Sequence, residues 1–232
     1  MKIAIISDLH SNIFAFEKVL HDIKIEKVDK ILVVGDIIGY YYWPKEIINI
    51  LINDEKFICL KGNHEINLMK VKNNFNKYND IFKKKYGSGY EICLNVLNKT
   101  ELDWLFSLPN SLSLTFDNLD FYLTHGILDD IEGYLYPDSN TANIMKNYSD
   151  KKYTIFAHTH YPFIHNQNNK SIINPGSIGQ PRDVSAMASY VIIDTNNSVI
   201  RFKRQKFETK LIINEINKRD PELTYLQNVL RR

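Results

Sequence analysis

The chain has 232 residues, 44% hydrophobic and 24% charged, and its 29 Lys and Arg against 27 Asp and Glu leave a net charge of +2. These values exclude a disordered chain and leave room for one substantial core, not two full-sized domains. The near-balanced charge points to no nucleic-acid or membrane surface, and no apolar segment approaches the roughly 20 residues of a membrane-spanning helix.

Residues 2–7 form a short apolar run, predicted as a strand buried on both faces. No signal peptide precedes it, so a cytoplasmic protein is expected. Asn12 can cap a helix carrying Ile13, Phe16, Leu20 and Ile23 at helical spacing. A second buried strand at 30–34 ends in Gly35-Asp36. The chain thus opens strand, helix, strand, with carboxylates at strand carboxyl ends, where open α/β sheets place ligands. The aromatic loop 39–43 leads to Pro44, which can open a helix through Leu51. The loop reads either as packing over the sheet edge or as an aromatic wall able to stack on a substrate. A strand at 57–60 delivers Gly62-Asn63-His64-Glu65. Residues 67–86 read as one helix, with Lys83-Lys84-Lys85 as a solvated face or a phosphate patch. Thr100 with Asp103 suggests a capping box opening a short helix. Strands at 112–116 and 119–124 flank a hairpin turn at Asp117-Asn118, and the second ends at His125. Residues 129–150 read as an irregular loop. A strand at 153–157 leads into His158-Thr159-His160, and one at 171–174 precedes Pro175. A hairpin at Asn196-Asn197 joins strands at 189–194 and 199–202, and 211–232 is predicted helical with a break near Pro221. Cys59 and Cys93 have no metal spacing and read as buried thiols. Nothing divides the chain, so 1–232 reads as one domain.

Five of the seven histidines lie in short fragments that each follow an apolar run. In an extended chain residues two apart project to one side, so Asp8 with His10, and His158 with His160, can converge on a point. Mixed nitrogen and oxygen donors suit manganese, iron, zinc, cobalt or nickel over magnesium or calcium. Asp8-x-His10, Gly35-Asp36, Gly62-Asn63-His64-Glu65, Thr124-His125-Gly126 and His158-x-His160 resemble, in number and order, the signature of the calcineurin-like metallophosphoesterases. The likeness covers residues 7–160, and Asn174-Pro175-Gly176-Ser177 extends it. It is greatest to small bacterial and archaeal members that are little more than a catalytic domain.

The resemblance implies two packed mixed β-sheets, a β-sandwich with α-helices on both outer faces. It implies two divalent transition-metal ions, manganese first, with Asp8, His10 and His160 holding one, Asn63, His125 and His158 the other, and Asp36 bridging, each oxygen able to serve a different ion. A phosphomonoester or phosphodiester would then be hydrolysed by a water or hydroxide activated between the ions. His64 would act on the phosphoryl group or the leaving oxygen, or orient a ligand. Asn12 and Glu65 read as supports. Arg182 either contacts phosphate or pairs with a nearby carboxylate, and Tyr40 and Trp43 are candidate substrate contacts. The expected partner is a small phosphoester, a nucleotide among the options, with no membrane or nucleic-acid partner. The alternative is a non-catalytic protein-binding scaffold of the same fold, like the retromer subunit. That reading puts no chemical demand on the ligand positions, all of which are filled here.

Overall fold

A computed structural model describes residues 1–231. In chain order the elements are β1 (Lys2–Ile6), α1 (Ile13–Ile25), β2 (Lys30–Val34), α2 (Pro44–Asn53), β3 (Phe57–Leu60), α3 (Asn63–Asn73), α4 (Phe75–Tyr86), α5 (Gly89–Val96), α6 (Lys99–Ser107), β4 (Ser111–Phe116) and β5 (Leu119–Thr124). There follow α7 (Thr141–Met145), β6 (Tyr153–Ile155), β7 (Phe163–Gln167), β8 (Lys170–Asn174), β9 (Met187–Asp194), β10 (Val199–Lys206), α8 (Lys210–Arg219) and α9 (Thr224–Arg231). The strands form two mixed five-stranded sheets, ordered β10-β9-β1-β2-β3 and β4-β5-β6-β8-β7. In the first, β1, β2 and β3 are parallel and β9 and β10 antiparallel. In the second, β5, β6 and β8 are parallel, with antiparallel β4 and β7 at the edges.

Strand alternation decides which residues lie between the sheets. Ile3, Ile5, Leu32 and Val34 face inward with Val191 and Ile193, and meet Phe121, Leu123, Tyr153, Ile155 and Ile173 of the second sheet. Ala4, Ile6, Ile31 and Val33 face the other way, into a larger core with α1, α2, α5, α6, α8 and α9. The outer face of the second sheet is covered more thinly, by α7 and the chain around Leu135, where Ile144, Phe156 and Ile172 cluster. Helices therefore lie on both outer faces, unequally.

Four local readings of the sequence need correction. The helix expected over 67–86 is two, starting earlier at Asn63 and broken at Asn74, whose side chain accepts from Lys77 N at 3.2 Å and so favours a new helix start over continuation. The capping box of α6 is built by Asn98 and Glu101, two residues before the expected Thr100. Helix α5 and strand β7 were not anticipated. β7 and β8 meet at Asn168-Asn169, both at positive φ (48° and 63°) as at Asp117-Asn118, because asparagine tolerates the left-handed conformation a two-residue hairpin requires. The loop 129–150 contains the short α7. The break near Pro221 separates α8 from α9 as expected, and residue 232 of that stretch lies outside the described residues.

Candidate metal centre

The carboxyl ends of β1, β2 and β3 in one sheet, and of β5 and β6 in the other, converge on one buried cluster. Five of its side chains stand on left-handed backbone: Asp8 (φ 52°), His10 (47°), Asp36 (52°), His158 (66°) and His160 (65°). Convergence two residues apart therefore comes from tight turns beyond the strand ends, and not from extended chain as the sequence suggested. Such φ values are costly outside glycine and persist only where the surroundings hold them. Here Asp8 N donates to Gly35 O (3.1 Å), His10 N to Asp36 O (3.0 Å) and Ser11 N to Ile37 O (3.0 Å), so the first two turns brace each other. Ser177 Oγ and Gly179 N donate to Asp8 O at 2.9 and 2.8 Å, and Asn174 Nδ2 donates to Ala157 O and Thr159 Oγ1. Asn12 caps α1 through Ala15 N and also ties Gly179 O at 2.8 Å. Glu65 accepts from Gly62 N (2.6 Å), Asp36 N (3.0 Å) and Ile38 N (3.1 Å), holding the Asp36 turn by its backbone. Both expected supports are in place.

Three groups of side chains could each hold an ion: Asp8 with His10 and His160, His10 with Asp36 and His64, and Asp36 with His125 and His158. Asp36 Oδ1 accepts from His64 N at the start of α3 (2.9 Å), so Oδ2 alone faces the centre. It lies 3.1 Å from His125 Nε2 and 3.9 Å from His10 Nε2. Each Asp36 oxygen was expected to be able to serve a different ion; here Oδ1 is engaged by the His64 backbone and Oδ2 turns to the cluster. Gly62 makes this approach possible, since a Cβ there would stand 2.2 Å from Asp36 Oδ1. Asn63 Oδ1 joins the second group, 3.1 Å from His125 Nε2.

The ring tautomers show why these residues suit a cation. The Nδ1 atoms of His10, His125 and His160 face the carbonyls of Ile38, Val34 and Gln180 at 3.3, 2.8 and 2.7 Å. A carbonyl only accepts, so each Nδ1 carries a proton; the rings of His10 and His160, held neutral, each turn an Nε2 lone pair inward, whereas His125 can carry a second proton on Nε2 toward Asp36. His10 Nε2 and His160 Nε2 then face each other across 3.1 Å with no hydrogen between them. Both oxygens of the buried Asp8 carboxylate lack a hydrogen-bond partner, as does His158 Nε2. Lone pairs brought this close with buried, unpartnered oxygens are costly, and a divalent cation among them would relieve both. Burial holds His10 and His160 well below the usual histidine range, and brings His158 to about 3 and His64 to about 4. Burial opposes charge on His125 too, but Asp36 outweighs it and lifts that ring to about 9. Burial likewise opposes charge on Asp36, yet His125, His64 and His10 hold it well below the carboxylate range.

His64 is buried with its Nε2 4.0 Å from Asp36 Oδ2 and its Nδ1 2.7 Å from the hydroxyl of Tyr90, on α5. No sequence signal marked Tyr90. Tyr40 packs its ring 4.7 Å from His10 and 4.8 Å from His64, whereas Trp43 packs on Phe14 (4.8 Å) and Tyr42 (5.9 Å). The aromatic loop thus divides, Tyr40 at the cluster and Trp43 against α1. Among the described residues no carboxylate lies within ion-pair distance of Arg182, because the neighbouring Asp183 pairs with Arg204. Arg182 Nε is buried without a partner, and its charge bears on Asp8, His10, His64, His158 and His160. Lys83 pairs with Glu91 at 2.8 Å on an exposed face, and both cysteines are buried.

Two mixed sheets whose strand ends present a histidine and carboxylate cluster define a metallophosphoesterase fold. Residues 1–198 match the family model described as the calcineurin-like phosphoesterase superfamily domain, and the chain belongs to that superfamily. It is 32% identical to an uncharacterised protein of Methanocaldococcus jannaschii over 93% of this chain and 92% of that protein. A metallophosphoesterase from Sphaerobacter thermophilus shares 27% identity at a TM-score of 0.76, covering 94% of each chain. A hypothetical protein from Pyrococcus horikoshii shares the fold at a TM-score of 0.85 with 19% identity, over 99% of this chain and 96% of that one. Among the described residues no helix is long and apolar enough to cross a membrane.

Proposed function

We propose that the protein is a dinuclear-metal phosphoester hydrolase acting on a phosphomonoester or phosphodiester. The observation that carries this reading is Asp36 Oδ2, placed between one group formed by Asp8, His10 and His160 and another formed by Asn63, His125 and His158. These residues would hold two divalent ions, manganese first, which when bound polarise phosphoryl oxygens and activate a water. The remaining steps belong to the chain. The Tyr90 hydroxyl, held protonated by burial, donates to His64 Nδ1 at 2.7 Å. The His64 proton then sits on Nε2, facing the centre, where it can bind a phosphoryl oxygen or pass to the leaving oxygen. Arg182, without a carboxylate partner, supplies a guanidinium to the phosphate. Tyr40 packs its ring against His10 and His64.

The partner is a small phosphoester, and no feature calls for a membrane or nucleic acid. The protein reconstituted with manganese is expected to hydrolyse p-nitrophenyl phosphate or bis-p-nitrophenyl phosphate, and Asp36→Asn is expected to abolish this. Full metal loading without turnover of monoester, diester, cyclic nucleotide or phosphopeptide would overturn the hydrolase and leave the scaffold reading.

A further inference from the structure

The loop 129–150 carried no decipherable pattern in the sequence, yet it holds the only two exposed tyrosines of the described residues, Tyr134 (53% exposed) and Tyr136 (36%). They are not loosely displayed. Leu135 between them is buried with Ile144, Phe156 and Ile172, and this anchor sets both tyrosines outward in a fixed orientation. Tyr134 lies 4.3 Å from the His158 ring, and Tyr136 is parallel to Tyr134 (2° between planes) at 5.8 Å. The edge of Tyr161, which follows His160 in the chain, closes on Tyr136 at 6.0 Å. The result is an aromatic ladder leading outward from the ligand cluster. Its outer end lines a cleft of about 460 Å³ with Pro137, Asp138 and Tyr161, in the size range of a small-molecule site.

We propose that this ladder is the specificity platform of the enzyme, stacking a nucleobase in the alcohol portion of the phosphoester so that nucleotide esters are its substrate class. The inference rests on the hydrolase reading for the phosphate end alone. Exposed rings held parallel present a π-face without having to be ordered first, and every base has a matching face. Asp138 adds a carboxylate at the cleft that can accept from the exocyclic amine of a base, which a plain aryl or alkyl group would not use. Tyr134 packs on the His158 ring and Tyr161 follows His160 in the chain, so an ester held at the cluster would have the ladder beside it.

The test compares three ligands on the manganese-loaded protein by calorimetry: AMP, ribose 5-phosphate, which lacks the base, and adenosine, which lacks the phosphate. AMP should bind about 5- to 150-fold more tightly than ribose 5-phosphate, the contribution of stacking on an aromatic ring. Tyr136→Ala should bring that ratio close to one and Tyr136→Phe should preserve it. Tyr136 is exposed, so neither variant threatens folding. Equal affinity for AMP and ribose 5-phosphate in the wild type, or a ratio untouched by Tyr136→Ala, overturns the platform. Should ribose 5-phosphate fail to bind and no ester be cleaved, the hydrolase reading falls. Adenosine then decides the platform alone: binding lost in Tyr136→Ala sustains it, and no binding overturns it.

Discussion

A phenol that itself belongs to none of the candidate metal groups decides which nitrogen of His64 carries its proton. Tyr90 is buried, and burial raises its pKa well above the ordinary tyrosine value, so the hydroxyl stays protonated and donates to Nδ1. Gly39 belongs to the same arrangement, since a Cβ there would lie 2.1 Å from His64 Nδ1 and evict the phenol. His64→Ala should lower kcat by roughly 10²–10⁴ with manganese content unchanged, and loss of metal in that variant would make the residue structural. Tyr90→Phe should cost about 2- to 10-fold in kcat, the worth of one neutral hydrogen bond, again without metal loss. The ligands themselves separate by stoichiometry. Because Oδ2 of Asp36 faces both groups, Asp36→Asn should weaken two ions, whereas His10→Ala should weaken chiefly one, as counted by elemental analysis after reconstitution. Equal losses in the two variants would contradict a shared Asp36.

At the scale of elements, the cap of α6 is the simplest to test. Asn98 Oδ1 accepts from Glu101 N at 2.9 Å and Glu101 returns the bond to Asn98 N at 2.7 Å, away from the ligand cluster. Asn98→Ala should destabilise by about 1 kcal/mol, a fall in Tm of about 2–4 °C for a chain of this size, with ester hydrolysis retained. The sequence placed this cap two residues late because Thr100 and Asp103 offer the same pattern, and only folded geometry shows which pair closes. The parallel strands were legible because burial on both faces leaves continuous apolar runs, and the residues of the cluster were legible because each follows such a run. β7, Phe-Ile-His-Asn-Gln, is an edge strand half open to water and carries too little apolar signal to stand out. α5 opens within Gly87-Ser88-Gly89 and spans only eight residues, so its periodicity is short. Missing α5 meant missing Tyr90. The left-handed turns at Asp8, His10, Asp36, His158 and His160 were hidden for a different reason. Aspartate and histidine tolerate positive φ better than most residues but adopt it in few places, and here the bonds from neighbouring turns impose it.

For the molecule as a whole, the ligand cluster is the place where the two sheets are tied. Asp8, His10, Asp36 and Asn63 follow strands of the first sheet, and His125, His158 and His160 follow strands of the second. Between them the contacts Asp36 to His125 (3.1 Å) and Asp8 to His160 (3.4 Å) cross from sheet to sheet. Apolar packing beneath is insensitive to metal: Phe121→Ala, which opens a cavity in that layer, should cost about 3–5 kcal/mol with or without ions. The cluster differs, because its facing lone pairs and orphaned oxygens favour the folded state only when a cation lies among them. An ion that binds the folded chain and not the unfolded one stabilises it by about 2.7 kcal/mol at a free concentration 100 times its Kd. For a chain of this length that corresponds to a rise in Tm of about 5–11 °C. Calorimetric scans in manganese and in chelator should therefore differ by this amount, and His125→Ala, which removes one side of the crossing, should shrink the difference. A Tm indifferent to manganese at any concentration would mean that the sheets are held by their apolar layer alone and that the cluster binds no ion of consequence.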